Sequence, residues 1–380
     1  MEQIGYILKM LYYLLFVIVM YAVALNSSKK YCQDITMERS KRIGVIVIRK
    51  KRFPIIAIVL LCLMAGYYGT ICGQVPIASD RLNYAMRFSS DTFLDAVKQS
   101  SYGLYFIEKI LHLFTYDPYV LFFTIPVICV ALYLFAYNIW DDVIPLAILM
   151  FGFSACVNYS FYQYKQAPAL GLMALSFAYF LRGRKLYAIL FMIGAIAFHE
   201  SALLMVPLYI VMMGSRKRWV RIAEIVFLLV CVFGFSYINV GLVRIASLIP
   251  GLNFQLQNYL GDSGGIQIDS NLATIFKGFP YYVITIVGIV QRPKLIDSIK
   301  NYDKYLTMSI FASACILLSA YMYWMWRFGS YTYFPILIFA SLIYREMDTN
   351  RELFKWTVVL SLAFITFRAF AQFYFIYGGY

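Results

Sequence analysis

The chain has 380 residues, 62% hydrophobic, 19% aromatic and only 14% charged, with a formal net charge of +14 and a positive mean hydropathy. That composition excludes a soluble globular domain and predicts an all-α, polytopic integral membrane protein, one domain over residues 1–380 with about 11–13 transmembrane helices. A charge of this size would suggest nucleic acid in a soluble protein, but here Lys and Arg first mark cytoplasmic loops, and no nucleic-acid partner is expected.

Apolar runs of about twenty residues, the length that crosses ~30 Å of hydrocarbon, recur along almost the whole chain. Spans are expected near 5–25, 53–73, 119–139, 142–158, 166–181, 186–198, 201–213, 222–240, 272–291, 305–325, 328–343 and 356–377. The first lacks the basic start and small-residue cleavage site of a signal peptide and is kept as a span. The loop 26–52, with Lys29, Lys30, Arg39, Lys41, Arg42 and four further basic residues at 49–52, is cytoplasmic, so the N-terminus lies outside. Alternation then places RGRK (182–185), SRKRWVR (215–221), RPK (292–294) and YREMDTNREL (344–353) inside as well.

Two outer segments follow from this order, about 74–118 and 241–271. The first contains SDRLNYAMRFSSDTF, where Asp80, Arg81 and Tyr84 stand close together as loop residues; a carboxylate there can bind a sugar hydroxyl or act as a base. It ends in YGLYFIEKILHLF, too short to cross and expected to lie at the interface as a helix. His112, on that helix, reads as structural. The second, with GDSGGIQIDSN, reads as a Gly-rich flexible loop, preceded by Arg244.

In VNYSFYQYKQAPALGLMALSF, Lys165 and Gln166 open an apolar helix on the outer side. A cation beside the backbone N–H groups of a helix N-terminus suits phosphate. The run Leu186 to Met213 would be ~42 Å long as a single helix, yet one crossing would set RGRK and SRKRWVR on opposite sides. A short helical hairpin keeps both inside, and its arms of about a dozen residues are too short to cross. The apex His199-Glu200 should therefore sit below the outer surface, lining a wet cavity, with Ser201 capping the second arm. Further along, Arg327 lies where one span ends and another begins and can grip a phosphate with two N–H donors. Tyr331 and Tyr333 follow, available for sugar stacking. Arg368, one turn from Gln372, is the most deeply embedded arginine, and a cation in a span usually faces a cavity.

No Gly-rich phosphate loop, nucleophile elbow, CxxC or Cys/His metal spacing occurs, so neither metal nor cofactor is expected. The outer half instead collects cations, a His-Glu pair, tyrosines and amides. That set suits an anionic amphiphile such as a lipid-linked diphosphate sugar, whose leaving group Lys and Arg can neutralise without a metal.

SDRLNYAMRF, YGLYFIEKILHLF, FYQYKQAPALGLMALSF with its continuation through AFHESALLMVPL, and RFGSYTYFPILI together resemble the EpsG-like branch of the bacterial Wzy-type polysaccharide polymerases, from about residue 79 to 340. This chain has Lys165-Gln166 where that branch more often has Arg-Gln, which keeps the charge and loses the bidentate fork. The resemblance implies a GT-C-like arrangement of helices in the bacterial inner membrane. It implies transfer of a growing glycan from undecaprenyl diphosphate to a lipid-linked repeat unit at the outer face, with a chain-length regulator and a flippase as partners. His199 is then the first candidate for base or acceptor-orienting group, followed by Glu200 and Asp80. Lys165 and Arg327 lead for the diphosphate, followed by Arg81, Arg244 and Arg368, with Gln166, Tyr84 and Tyr331 as further substrate contacts. A flippase for the same lipid, or a ligase that moves finished glycan, would display a similar cationic cavity; the absence of repeated halves speaks against the flippase.

Overall fold

The computed structural model describes residues 55–72, 79–90, 92–98, 101–139, 163–233, 278–319 and 325–347, with isolated positions of the first segment. The expected spans 5–25, 142–158 and 356–377, the loops 26–52 and 241–271, and with them Arg244 and Arg368, lie outside the described residues. Among those described, the regular structure is helical throughout, with no strand. The chain divides into two compact units, Met1–Leu203 with Ala363–Tyr380, and Leu204–Leu362.

In the first unit, α1 (Ile55–Cys72) packs antiparallel on α5 (Tyr119–Ile139). Gly66 and Gly69, nearly one turn apart, let the two backbones approach. A Cβ on Gly69 would stand 2.4 Å from the carbonyl oxygen of Phe122, and one on Gly66 would stand 2.7 Å from Phe123 and Val127. Small residues at a helix contact are how helices gain close van der Waals packing where lipid supplies no hydrophobic drive. Residues Tyr119–Tyr137 of α5 are long and apolar enough to cross a membrane.

Between α1 and α5 the chain forms α2 (Ser79–Ser90), α3 (Phe93–Lys98) and α4 (Tyr102–Leu111). SDRLNY is therefore helix rather than loop. The reason is visible in its spacing: Arg81, Tyr84 and Phe88 recur at three- to four-residue intervals, and Arg81 and Phe88 are buried while Leu82, Met86, Ser89 and Ser90 are exposed. A short helix forms over Tyr102–Leu111, where one was expected. Its successors Leu113 and Phe114 are exposed, as are Phe106 and Ile110 on α4 itself, the apolar face an interfacial helix needs. His112 follows it, edge-on to Phe88 at 4.4 Å and stacked on Tyr116 at 4.7 Å, a packed and structural setting.

Next come α6 (Gln166–Leu181) and α7 (Lys185–Phe198), joined by a tight turn in which Gly183 has φ +78°. The two are antiparallel: Tyr179 stacks on Tyr187 and Phe191, Leu172 faces Gly194, and the Ser176 hydroxyl donates to the Ala188 carbonyl at 2.6 Å. Almost all of α6 is buried, whereas α7 turns Leu186, Ile189, Leu190 and Ile193 outward.

The second unit holds α8 (Met205–Gly214), α9 (Arg218–Phe233), α10 (Phe279–Leu295), α11 (Tyr302–Ser319), α12 (Met325–Ser330) and α13 (Tyr333–Glu346). Helix α11 is its axis, packed against the other five. The Thr285 hydroxyl on α10 meets both Ser309 Oγ and Ser313 Oγ of α11 at 2.7 Å, and the Tyr302 hydroxyl donates to the Gly288 carbonyl at 2.6 Å. Small hydroxyls of this kind satisfy one another where water is excluded.

Candidate functional site

Three packing registers bring the expected residues of the first unit to one of its ends. Helices α1 and α5 are antiparallel, so the end of α1 meets the start of α5. Helices α5 and α6 are parallel, since Phe122 faces Tyr164 with ring centres 5.3 Å apart and Leu132 faces Gly171 further along both. The antiparallel register of α6 and α7, with 179 opposite 187 and 172 opposite 194, sets the start of α6 level with the end of α7. Lys165, Gln166 and His199 therefore share a level, although 33 residues separate the last two in sequence.

Helix α2 lies at this same end. Arg81 is its anchor: Nη2 donates to the Gly69 carbonyl at 2.7 Å, and the guanidinium carbon stands 3.8 Å from the centre of the Phe122 ring. Tyr84, one turn on, sets its ring edge against Tyr164 at 5.1 Å, and Arg87 lies over Tyr84 at 6.0 Å. Phe122, Tyr164 and Tyr84 thus form an aromatic wall beside the guanidinium. Arg81 is only 4% exposed, and its Nε and Nη1 have no hydrogen-bond partner among the described residues. Buried donors without acceptors are costly, more so on a charged group, and Nε–H and Nη1–H, which leave the guanidinium on different sides, can each take an anionic oxygen. Sequence ranked Arg81 behind Lys165 and Arg327; burial makes it the foremost cation of this unit.

Lys165 is half-buried and precedes α6, which begins at Gln166, itself 3% exposed. The expectation that these two open a helix holds. The carbonyl of Gln163 accepts the N–H of Ala167 at 2.9 Å, while the side-chain Oε1 of Gln163 is buried without a hydrogen-bond partner among the described residues. Asp80 takes its place in the first turn of α2.

At the other side of this end, α7 stops at Phe198. Residue His199 is extended (φ −154°, ψ 116°), Glu200–Leu204 make one 3-10 turn, and α8 begins at Met205. The helical run does break where sequence placed its apex. The role foreseen for Ser201 is different, however. Its hydroxyl lies 2.6 Å from His199 Nδ1 and its backbone N–H donates to the same nitrogen at 3.3 Å. The N-cap of α8 is Leu204, with no side-chain cap, because the intervening 3-10 turn carries Ser201 three residues too early. Helix α4 presses on this break: a Cβ on Gly103 would lie 2.5 Å from Phe198.

Arg327 belongs to the second unit. It is half-buried on α12 next to Trp326, and its carbonyl accepts the Ser330 hydroxyl at 2.6 Å. The aromatics after it are used in packing rather than displayed: Tyr331 is 1% exposed, and Tyr333 stacks on Tyr281 at 4.6 Å.

One constellation escaped the sequence reading. Arg221 on α9, Arg292 on α10, and Asp303 at the start of α11 form an ion cluster, of which only the two arginines were counted above, as loop charges. Arg292 Nε and Nη2 grip Asp303 at 2.7 and 3.2 Å, and Arg221 Nη2 donates to the Asp303 carbonyl at 3.0 Å. Arg221 also pairs with Glu224, whose other oxygen accepts the Thr307 hydroxyl at 2.6 Å. The hydrogen bonds to Asp303 hold the Arg292 guanidinium above its usual range. The legible signal was two acids on apolar helices, Asp303 in the first turn of α11 and Glu224 in the second turn of α9. Among the described residues no group of three His, Cys, Asp or Glu side chains could hold a metal ion.

The described residues are helical, with one helix long and apolar enough to cross a membrane, and cations, tyrosines and a histidine gather at one end of a unit. Residues 51–378 match the EpsG family, and the chain belongs to it. That family is one of Wzy-like polymerases, membrane proteins of polysaccharide biosynthesis. No curated protein and no solved structure matches the chain.

Proposed function

We propose that this protein is a glycosyltransferase that polymerises lipid-linked oligosaccharide repeat units at the outer face of the bacterial inner membrane. The growing glycan leaves undecaprenyl diphosphate and passes to a hydroxyl of the next lipid-linked unit, which stands as both donor and acceptor. The observation that carries the reading is Arg81: a buried guanidinium, braced by Gly69 and Phe122 and flanked by Tyr84 and Tyr164, with two donors unused. Burial strengthens its field on a diphosphate relative to water, and the half-buried Tyr84 offers a ring to a sugar or an isoprenoid at its side.

In this mechanism Arg81, with Lys165 and the N-terminus of α6 at the same end, binds the diphosphate and steadies its charge as the anomeric C–O bond breaks. The acceptor hydroxyl oxygen attacks the anomeric carbon and gives its proton to a base, for which His199, Glu200 and Asp80 are the candidates. Neutralisation of the leaving group is assigned to side-chain cations, so the reaction runs without added metal. The glycan product engages a chain-length regulator after a flippase has delivered the repeat units. The basic turn 182–185 at the opposite end of α6 and α7 supports an outward-facing site, since Lys and Arg favour the cytoplasmic side.

The test is purified protein in lipid bilayers with a defined diphosphate-linked repeat unit, with and without chelator. A ladder of multiples that survives chelation and disappears in Arg81→Ala is the expected result. Movement of intact units between leaflets without a ladder would identify a flippase instead, and transfer of a single finished chain a ligase.

A further inference from the structure

We propose that Ser201 is a positioning residue that holds His199 as its Nε2–H tautomer, so that His199 meets the substrate as a hydrogen-bond donor and not as the base. This deepens the proposed function and rests on it for the identity of the ligand.

The argument starts from what each atom can do. A backbone N–H can only donate, and Ser201 directs its own at His199 Nδ1 from 3.3 Å. A proton on Nδ1 would face that N–H head on, so Nδ1 must carry its lone pair. The Ser201 hydroxyl, 2.6 Å from the same nitrogen, by itself could be donor or acceptor; beside the backbone N–H it must donate. In a neutral imidazole whose Nδ1 is an acceptor, the ring proton sits on Nε2.

Local backbone makes the arrangement. Because His199 is extended while its N–H still donates to the Ala195 carbonyl at 3.0 Å and its carbonyl accepts from Ala202 at 3.0 Å, the next residues curl back in a 3-10 turn. That curl carries the N–H and hydroxyl of residue 201 over the ring of residue 199. The hydroxyl can rotate and accept from a protonated ring, but the backbone N–H cannot, so the turn also disfavours the imidazolium.

A histidine in this state cannot take a proton through Nε2, which already holds one, and its Nδ1 lone pair is occupied. It can donate one hydrogen bond, and the chemistry it suits is an anionic phosphate oxygen of the diphosphate whose other oxygens Arg81 holds. The proton of the acceptor hydroxyl then goes to a carboxylate, for which Glu200 and Asp80 are the candidates. The imidazole keeps its Nε2 proton throughout; none is added to it and none is drawn from it.

The first readout needs no substrate. The chain has only two histidines, so 15N-histidine labelling of the full-length protein in nanodiscs, with His112→Phe to assign the spectrum, resolves the His199 ring. At neutral pH we expect a proton on Nε2 and a bare Nδ1. Ser201→Thr should keep that state, and Ser201→Ala should give a mixture of tautomers. A protonated Nδ1 in the wild type overturns the proposal, as does a tautomer unmoved in Ser201→Ala.

The second readout is chain extension from the diphosphate-linked unit. His199→Gln, whose amide can donate but cannot take a proton, should stay within about tenfold of wild type, while His199→Ala should fall by about a hundredfold or more. Equal loss in both, with normal protein level, restores His199 as the base and sinks the inference. Failure of the wild type itself to extend chains refutes the polymerase reading, and with it the phosphate as ligand, but leaves the tautomer to be decided by the spectrum.

Discussion

Gly103 of α4 sits so close to Phe198, the last residue of α7, that a Cβ would lie 2.5 Å from its ring. Helix α4 is thereby seated directly against the residue that precedes His199. A glycine here is a requirement of close approach, and it couples α4 to the break in the helical run.

Gly103→Ala should therefore displace Phe198, since the clash involves Cγ as well as the ring edge. Overpacking of this sort costs about 1–3 kcal/mol. The expected outcome is a lower thermal midpoint in detergent together with reduced chain extension. Full activity at unchanged stability would show that α4 does not set the position of the break.

Gly69→Ala tests the seat of Arg81. Its Cβ would stand 2.4 Å from a backbone oxygen of Phe122, which cannot rotate away, so α1 and α5 must part. Because the Gly69 carbonyl also receives Arg81 Nη2, the guanidinium should shift with them. We expect weaker binding of the diphosphate-linked unit, read as a raised KM, along with loss of stability. Arg81→Lys separates the two effects: it spares α1 and α5, keeps the charge and loses the spread of N–H donors around a planar guanidinium, and should lower extension by about a hundredfold at near-normal stability.

His199→Ala and Arg327→Ala should each abolish chain extension while protein level and membrane insertion stay normal. Long polysaccharide in cells carrying either variant would remove that residue from the mechanism. In a His199→Cys variant, a membrane-impermeant thiol reagent applied from outside should reach the new thiol; reaction solely from the cytoplasm would overturn the outward-facing site.

Asp303→Ala should leave Arg221 and Arg292 without their shared carboxylate inside the second unit. Breaking a buried ionic cluster by removing one partner typically costs about 3–5 kcal/mol, and Asp303 is 3% exposed. The measurement is thermal unfolding in detergent, where a fall of several degrees is expected. Combining Asp303→Ala with Arg292→Ala should cost less than the sum of the two single changes, because the second change removes a charge that the first had stranded.

Much of this protein could be read from residue order alone. Helical class, membrane character and the break at His199 follow from composition and from charges flanking a run of the wrong length, since transfer into lipid depends on residues one by one. The opening of α6 at Lys165-Gln166 was legible for the same local reason. Two assignments failed where local rules were silent. Arg81 looked like a loop charge because the acidic and polar letters of SDRLNY obscure a helical spacing, and Ser201 looked like a cap because a 3-10 turn cannot be told from a helix start by its residues.

What the tertiary structure alone decided is which side chains meet. The antiparallel register of α6 and α7 sets Gln166 beside the level of His199, and the crossing of α1 with α5 supplies both the carbonyl and the ring that hold Arg81. Asp303 draws in Arg221 and Arg292 from two other helices. Each of these depends on close packing between segments distant in the chain, and hydropathy carries no record of register. Composition places the residues in a membrane; shape complementarity between helices determines which of them stand together.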